Sequence, residues 1–169
     1  MFLLYAESMS IRKIIVGSCI FALLLIIGSM ASVLIPYHTG NTSQHIDFMY
    51  PATLGSAHIM VGIASTEATR KKGLTGQEQL AEDHGLYFLF GKSDVWSIWM
   101  KGMKIPIDVL WFDASGSVVA IKSNFQPSFF PHIAVPRSLS SSVLEVSAGF
   151  ATQHKISLGD KIIFPKKEL

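Results

Sequence analysis

The feature that most constrains this chain is an apolar segment, residues 14–35, which runs for 22 residues without a charge. A helix of that length, at 1.5 Å rise per residue, measures about 33 Å and would cross a hydrocarbon core of roughly 30 Å. Pro36 follows the segment directly. We therefore expect one N-terminal transmembrane helix, with a separate folded domain after it.

Charges on the two sides of this segment predict its orientation. Arg12 and Lys13 precede it, and no further Lys or Arg occurs before Arg70. Because positive charges stay on the cytoplasmic side, residues 1–13 are expected in the cytoplasm and the domain outside it, in the periplasm or on the cell surface. Met9 precedes a short basic stretch, which suggests that residues 1–8 arise from a wrongly assigned start codon.

The apolar segment has a second interpretation as a removable signal peptide. Ser29 and Ala31 flank Met30 in a pattern typical of cleavage sites, and cleavage would release a secreted domain. The apolar run continues past this point to residue 35, which favours an uncleaved anchor. The polar stretch that follows predicts a linker over residues 36–56.

Composition argues against several classes of function. From His38 onward the chain has 12 Lys+Arg and 11 Asp+Glu, and its basic run is limited to Arg70, Lys71 and Lys72. A nucleic-acid partner is not expected, because such proteins carry a clear basic excess. The single cysteine, Cys19, lies in the apolar segment, so the domain has no disulfide and no thiol nucleophile.

Short β-type runs separated by turn residues predict a mainly β domain, a sandwich or barrel, with two short helices. Thr66 is expected to cap a helix over residues 67–72, Gly73 to end it, and residues 113–116 to form a hairpin turn. Residues 127–136, rich in proline and aromatics, are expected to be a loop without a ladder strand. The predicted strands are 58–63, 87–90, 95–101, 107–112, 117–121, 143–146 and 161–164, and the second helix is 148–155.

Two strands carry unusual side chains. Residues 95–101 alternate, so that Ile98 and Met100 face the core with Trp96 while Trp99 and Lys101 share the other face. Residues 107–112 are apolar on both faces, which predicts a central strand. Asp108 would then lie on a buried face beside Leu110 and Phe112, an unusual position for a carboxylate.

No catalytic, metal or cofactor site is predicted. The histidines are scattered without a close-spaced metal pair. Gly91-Lys92-Ser93 resembles the end of a phosphate loop, but the preceding glycine, Gly85, is not at the spacing that such a loop requires. The sequence also has no Gly-x-Ser-x-Gly motif of a nucleophile elbow.

A set of motifs resembles the prokaryotic domain-of-unknown-function family 192. The central motif is Trp99-Met100-Lys101 followed by Ile105-Pro106-Ile107-Asp108, and the resemblance covers about residues 57–164, leaving 165–169 as a tail. The other matching positions are Thr66, Arg70, Gly73-Leu74, Gly85-Leu86-Tyr87-Phe88, Phe90, Phe112-Asp113, Gly116, Val143-Leu144-Glu145, Gly149, Ile156 and Gly159-Asp160.

The resemblance implies a small β-sandwich of jelly-roll type, often secreted or membrane-attached, with no established activity. This chain departs from the family pattern in three places. Gly102-Met103 stand where the family has Asn-Thr after Trp-Met-Lys, and Thr69 replaces an acidic residue before the family arginine. Cysteines that the family often carries before its last third are absent.

The candidate cluster consists of Trp99, Lys101 and Asp108, with Arg70 as an outer member. Lys101 and Asp108 could form an ion pair, more often a structural feature than a catalytic one. Trp99 beside Lys101, facing Phe129 and Phe130 in the proline-rich loop, could line a groove for a sugar or peptide.

Three functions follow from this cluster and the predicted location. The preferred one is a non-enzymatic envelope module that binds a carbohydrate, a peptide or an envelope protein. The alternatives are a small hydrolase with Asp108 as general base and a scaffold subunit of a membrane complex.

Overall fold

A computed structural model describes residues 46–165, which contain nine β-strands, two short α-helices and one 3-10 turn. The apolar segment predicted to span the membrane lies outside the described residues. Among those described, no helix is long and apolar enough to cross a bilayer. The elements are β1 (Tyr50–Leu54), β2 (Ala57–Ala64), α1 (Glu67–Lys72), β3 (His84–Asp94), β4 (Ile98–Trp99), β5 (Ile107–Phe112), β6 (Val118–Phe125), the 3-10 turn (Pro127–Phe129), β7 (Ile133–Ala134), β8 (Ser140–Ser147), α2 (Phe150–Gln153) and β9 (Ile162–Ile163).

Seven of the strands form one curled sheet in the order β6-β5-β8-β3-β2-β1-β9, and β4 pairs with β7 in a separate two-stranded ribbon. Main-chain hydrogen bonds join the two ends of the large sheet: Val118 donates to Asp160 over 2.8 Å, and Gly159 donates to Val118 over 2.9 Å. The mainly β fold with two short helices is therefore confirmed. A jelly-roll sandwich is not confirmed, because the seven strands follow one another in a single series.

The curled sheet has a buried layer on each of its faces. Leu54, Phe112 and Leu144 belong to the inner layer, inside the curl. Phe88 and Trp111 belong to the outer layer, which the β4–β7 ribbon and the chain after α1 cover. All six residues of β5 are buried, as the apolar pattern on both of its faces predicts.

Several locally encoded elements form as predicted. Thr66 caps α1, accepting a hydrogen bond from the Thr69 main-chain N–H over 3.1 Å, and the helix ends at Lys72. The hairpin after β5 forms around Asp113, whose Oδ1 accepts the N–H groups of Ser115 and Ser117. These turns depend on contacts within a few residues, which explains why the sequence predicts them.

Elements that depend on distant partners differ from the predictions. Strand β1 occupies part of the expected linker, because Ala52 and Leu54 pack into the inner layer. The strand expected over 95–101 is only two residues long, Ile98–Trp99. The helix expected over 148–155 covers only Phe150–Gln153. Contrary to prediction, the proline-rich loop contributes a strand, because Ile133–Ala134 pairs with β4.

Asp108 holds the end of the sheet to α2 rather than pairing with Lys101. Its side chain is fully buried, and Oδ1 accepts the Asn124 N–H over 2.8 Å. Oδ2 accepts the N–H groups of Gly149 and Ala151, at 3.1 and 2.9 Å. The predicted ion pair is therefore wrong, because main-chain donors at the start of α2 and the end of β6 occupy the carboxylate while Lys101 is exposed.

Replacing Asp108 by Ala should destabilise the domain by roughly 3 kcal/mol, because three main-chain N–H groups would lose the buried carboxylate that accepts from them. Lys101→Ala is the matched control and should change stability by no more than about 0.5 kcal/mol. Urea unfolding of the full chain, followed by tryptophan fluorescence, measures both, since Trp96, Trp99 and Trp111 all lie in the domain. Equal losses in the two variants would contradict this role for Asp108.

Candidate functional site

Glu145 is a buried carboxyl in the middle of β8, on the outer face of the curled sheet. Its neighbours Leu144 and Val146 face the inner layer, so the strand alternation directs Glu145 outward. It is only 5% exposed because the chain after α1 covers it. Its Oε2 atom is buried without a hydrogen-bond partner, the one such side-chain atom in the described part of the chain.

The protonation of Glu145 follows from this burial. Removal from water disfavours the charged form and raises the pKa of Glu145 to about 8 from its usual 4.5, although a hydrogen bond from the Leu74 main-chain N–H acts in the opposite direction. The carboxyl group is therefore mostly neutral at pH 7. A neutral carboxyl group carries an O–H that can donate a hydrogen bond, which a carboxylate cannot do.

Glu145 lines a cavity of about 390 Å³, the Glu145 pocket. The pocket lies between α1, the chain that follows α1, β3 and the β4 region. A cavity of this volume falls within the range that small ligands occupy. Apolar side chains form most of its wall, namely those of Leu74, Phe88, Phe90, Ile98 and Met103.

Trp99 and several charged groups contribute to the mouth of the pocket. The Trp99 side chain is 44% exposed, so a large aromatic surface is open to a ligand. Arg70 is fixed by hydrogen bonds from Nη1 to the carbonyl oxygens of Ser65 and Leu89, and its guanidinium lies 5.3 Å from the Phe90 ring centre. The charged residues lining the pocket besides Glu145 are Glu67, Arg70, Lys71 and Lys72.

Gly73 allows the chain to turn over the pocket. Its φ of +51° and ψ of −141° are accessible to glycine but strained for other residues. The turn brings Leu74 into the outer layer and its N–H to the Glu145 carboxyl. A β-carbon at Gly73 would lie 3.6 Å from Oε2 of Glu145, an ordinary van der Waals contact, so the positive φ and not the space around it favours glycine here.

The predicted cluster is divided by the structure. Trp99 and Arg70 line the Glu145 pocket, whereas Lys101 is exposed and lines neither cavity described here. Phe129 lines a different cavity of about 980 Å³, the aromatic groove, with Trp111, Phe125, Lys122, His132 and Arg137 among its lining residues. Phe130 is 45% exposed beside Phe129 in the chain.

The β4–β7 ribbon explains why Trp99 and Phe129 line different cavities. Trp99 pairs with Ile133 across the ribbon. Trp99 lines the Glu145 pocket, and Ile133 lines the aromatic groove. A single groove shared by Trp99, Lys101 and Phe129 is therefore not formed. Within residues 46–165, no three His, Cys, Asp or Glu side chains cluster as metal ligands would.

The sequence analysis missed Glu145 as a site residue. The signal was present, because Glu145 interrupts an apolar strand with Val143 on the same face and Leu144 and Val146 on the other. Such a position becomes informative only when the strand is known to be covered on both faces. That covering depends on Leu74 and the chain after α1, which are remote from β8 in sequence.

Comparisons with known proteins agree with this fold. The family model DUF192, described as an uncharacterized ACR, matches residues 51–164. The search of curated proteins found no match for the chain.

Two solved structures are similar to the chain. One, from Novosphingobium aromaticivorans DSM 12444, is a protein of unknown function with 26% sequence identity and a TM-score of 0.64, and the match covers 67% of this chain and 83% of that one. The other, from Sinorhizobium meliloti 1021, is described as a candidate transcription regulator. It has 28% identity and a TM-score of 0.66, with 71% of this chain and 97% of that one covered.

Glu145 makes the stability of the domain depend on pH. The folded carboxyl keeps its proton up to a pKa of about 8, whereas an unfolded chain loses it near 4.5, so unfolding releases a proton between these values. Stability should therefore fall as pH rises through this window, by up to roughly 1.4 kcal/mol per pH unit, and level off above it.

The isosteric variant Glu145→Gln should remove this contribution. The unfolding free energies of variant and wild type are measured in urea at pH 5 and pH 8. In their difference, the contributions of all titrating groups that the two proteins share cancel. We expect the variant to gain a few kcal/mol relative to wild type between these pH values. A difference that is the same at both pH values would contradict the protonation of Glu145 in the folded state.

Proposed function

Since the chain belongs to DUF192, an uncharacterised family, we propose its function from its own geometry: it is a non-enzymatic binding module that takes a small ligand in the Glu145 pocket. The observation that carries this proposal is Glu145, whose Oε2 is buried without a partner among the described residues and whose side chain belongs to the lining of a mostly apolar cavity. A buried polar group without a partner costs stability, and a ligand that satisfies it recovers that cost on binding.

Trp99 supports binding at the same place. An exposed tryptophan at the mouth of a pocket offers a rigid apolar surface on which a ring or a peptide group can pack. Arg70 adds a positive charge whose position is fixed by two main-chain carbonyls. The pocket thus combines an apolar wall with a few convergent polar groups, the usual composition of a ligand site.

The hydrolase alternative, with Asp108 as general base, finds little support. Asp108 is fully buried, and both of its oxygens accept main-chain hydrogen bonds. A general base must reach the proton that it removes. Asp108 would have to give up its hold on α2 to do so.

The scaffold alternative is supported by a different surface. Phe129, Phe130, Ile133 and Val135 are each more than 40% exposed and follow one another closely in the chain. Exposed apolar side chains grouped in this way are typical of protein contact surfaces. A protein partner on this surface is compatible with a ligand in the Glu145 pocket, because the two are lined by different residues.

We also propose that the domain works outside the cytoplasm, held to the membrane by residues 14–35. The support is the length of the uncharged run and the basic residues Arg12 and Lys13 before it. Release by cleavage after Ala31 is the alternative. We propose no nucleic-acid partner, despite the description of the Sinorhizobium structure, because the charges after His38 nearly balance.

The location can be tested with reporter fusions. Alkaline phosphatase fused after residue 169 should be active, because that enzyme requires an oxidising compartment. Green fluorescent protein fused at the same position and exported by the same route should not fluoresce. The fusion should co-sediment with membranes if residues 14–35 are retained. An inactive phosphatase would contradict the extracytoplasmic location.

The binding site can be tested with a library of soluble oligosaccharides and short peptides, using the full chain in nanodiscs of zwitterionic lipid. Trp99→Ala should weaken binding of any ligand found by roughly tenfold or more, equivalent to about 1.4 kcal/mol. Phe129→Ala is the control, because Phe129 is exposed to a similar degree, 42% against 44%, but lines the aromatic groove. Ligands that respond only to Phe129→Ala, or no ligand at all, would contradict the proposal.

A further inference from the structure

We propose that the Glu145 pocket binds an acidic sugar, whose ring stacks on Trp99, whose hydroxyl accepts a hydrogen bond from Oε2 of Glu145, and whose carboxylate faces Arg70 and Lys71. This inference rests on the proposed function and names the ligand class of the same site. Three independent properties of the pocket lead to it: the hydrogen-bonding role of its buried group, the charge at its mouth and the aromatic surface of Trp99.

The buried end of the pocket requires a hydrogen-bond acceptor. Glu145 is 5% exposed, and the Leu74 N–H already hydrogen-bonds to its carboxyl group. Oε2 is left without a partner, and burial keeps the group protonated near neutral pH. A protonated Oε2 is a donor, so its natural partner is a hydroxyl, ether or carbonyl oxygen of the ligand.

A cationic ligand fits this end poorly. An ammonium group has donors and no acceptor, so Glu145 would first have to lose its proton in an apolar environment. Arg70 and Lys71 line the same pocket and would repel an ammonium group that enters it. Neutral and anionic ligands meet neither obstacle.

The mouth of the pocket favours a negative charge. Helix α1 contributes all of the charged residues there, with Arg70, Lys71 and Lys72 against Glu67, and the lining residues from β3 and residues 97–103 carry none. Two hydrogen bonds from Nη1 to main-chain carbonyl oxygens fix the position of Arg70 without neutralising its charge. A guanidinium in such a position forms strong charge-assisted hydrogen bonds with a carboxylate.

The aromatic surface favours a sugar ring over other acidic ligands. A pyranose ring has an apolar face of C–H groups that packs on an aromatic ring, and hydroxyl groups along its edge that serve as acceptors. Trp99 and Glu145 both line the pocket, so one ring can contact both. The volume of about 390 Å³ suits one or two sugar units.

The test uses three methyl β-glycosides that differ in charge: the glucuronide, the glucoside and the glucosaminide. Dissociation constants are measured by ligand-observed NMR on the full chain in zwitterionic nanodiscs at pH 6.5. We expect the glucuronide to bind roughly tenfold tighter than the glucosaminide, with the glucoside between them. Arg70→Gln should reduce the advantage of the glucuronide over the glucoside.

The role of Glu145 is tested by pH. Raising the pH from 7 to 9 should weaken glucuronide binding to wild type by roughly tenfold, because the fraction of Glu145 that carries a proton falls. Glu145→Gln keeps a donor that does not titrate, so this variant should bind with little change over the same range. Glu145→Leu removes the donor and should bind weakly at both pH values.

The outcomes separate this inference from the binding function itself. If the glucosaminide binds best, or binding to wild type is unchanged up to pH 9, the acidic-sugar assignment is wrong. If the wider library yields only peptides that depend on Trp99, the assignment is again wrong while the binding function stands. Circular dichroism of each variant identifies losses of binding that are due to unfolding. If a variant does not fold, the relative affinities of the three glycosides for the wild-type protein test the assignment.

Discussion

Burial on both faces of the central strands is the constraint on which the rest of this structure depends. Strands β5 and β8 lie between an inner layer enclosed by the curled sheet and an outer layer covered by the chain after α1 and by the β4–β7 ribbon. All of β5 and residues 142–146 of β8 are buried, so each polar group there needs a partner within the protein or a ligand. Asp108 and Glu145 are the two carboxyl groups placed under this constraint.

These two residues meet the constraint in opposite ways. Asp108 faces the inner layer, where three main-chain N–H groups converge on it and join β5, the end of β6 and the start of α2. Glu145 faces the outer layer, where the Leu74 N–H is its one donor and Oε2 is left over. The first arrangement is complete and serves the fold. The second is incomplete, because Oε2 has no partner among the described residues, and the proposed ligand site rests on this difference.

How much the sequence could predict depended on the range of the contacts involved. The helix capped by Thr66, the turn around Asp113 and the doubly apolar strand β5 are encoded by neighbouring residues, and all were predicted correctly. The short strand β7 forms because Ile133 pairs with Trp99 and Ala134 with Ile98, and no local pattern in the sequence indicates that pairing. The partners of Asp108 are main-chain groups, which have no sequence signature, so a lysine close by in the chain was a misleading candidate.

The range of the contacts also explains why the predicted cluster includes Trp99 and Arg70 but not Glu145. The strand alternation indicates that Trp99 is exposed, the family resemblance adds Arg70 as an outer member, and both line the Glu145 pocket. Glu145 was overlooked because its importance comes from what covers it. The turn at Gly73 lays Leu74 over β8, and this cover both raises the pKa of Glu145 and encloses the cavity. The backbone conformation at Gly73, accessible to glycine, thus contributes to the burial that keeps the Glu145 carboxyl group protonated.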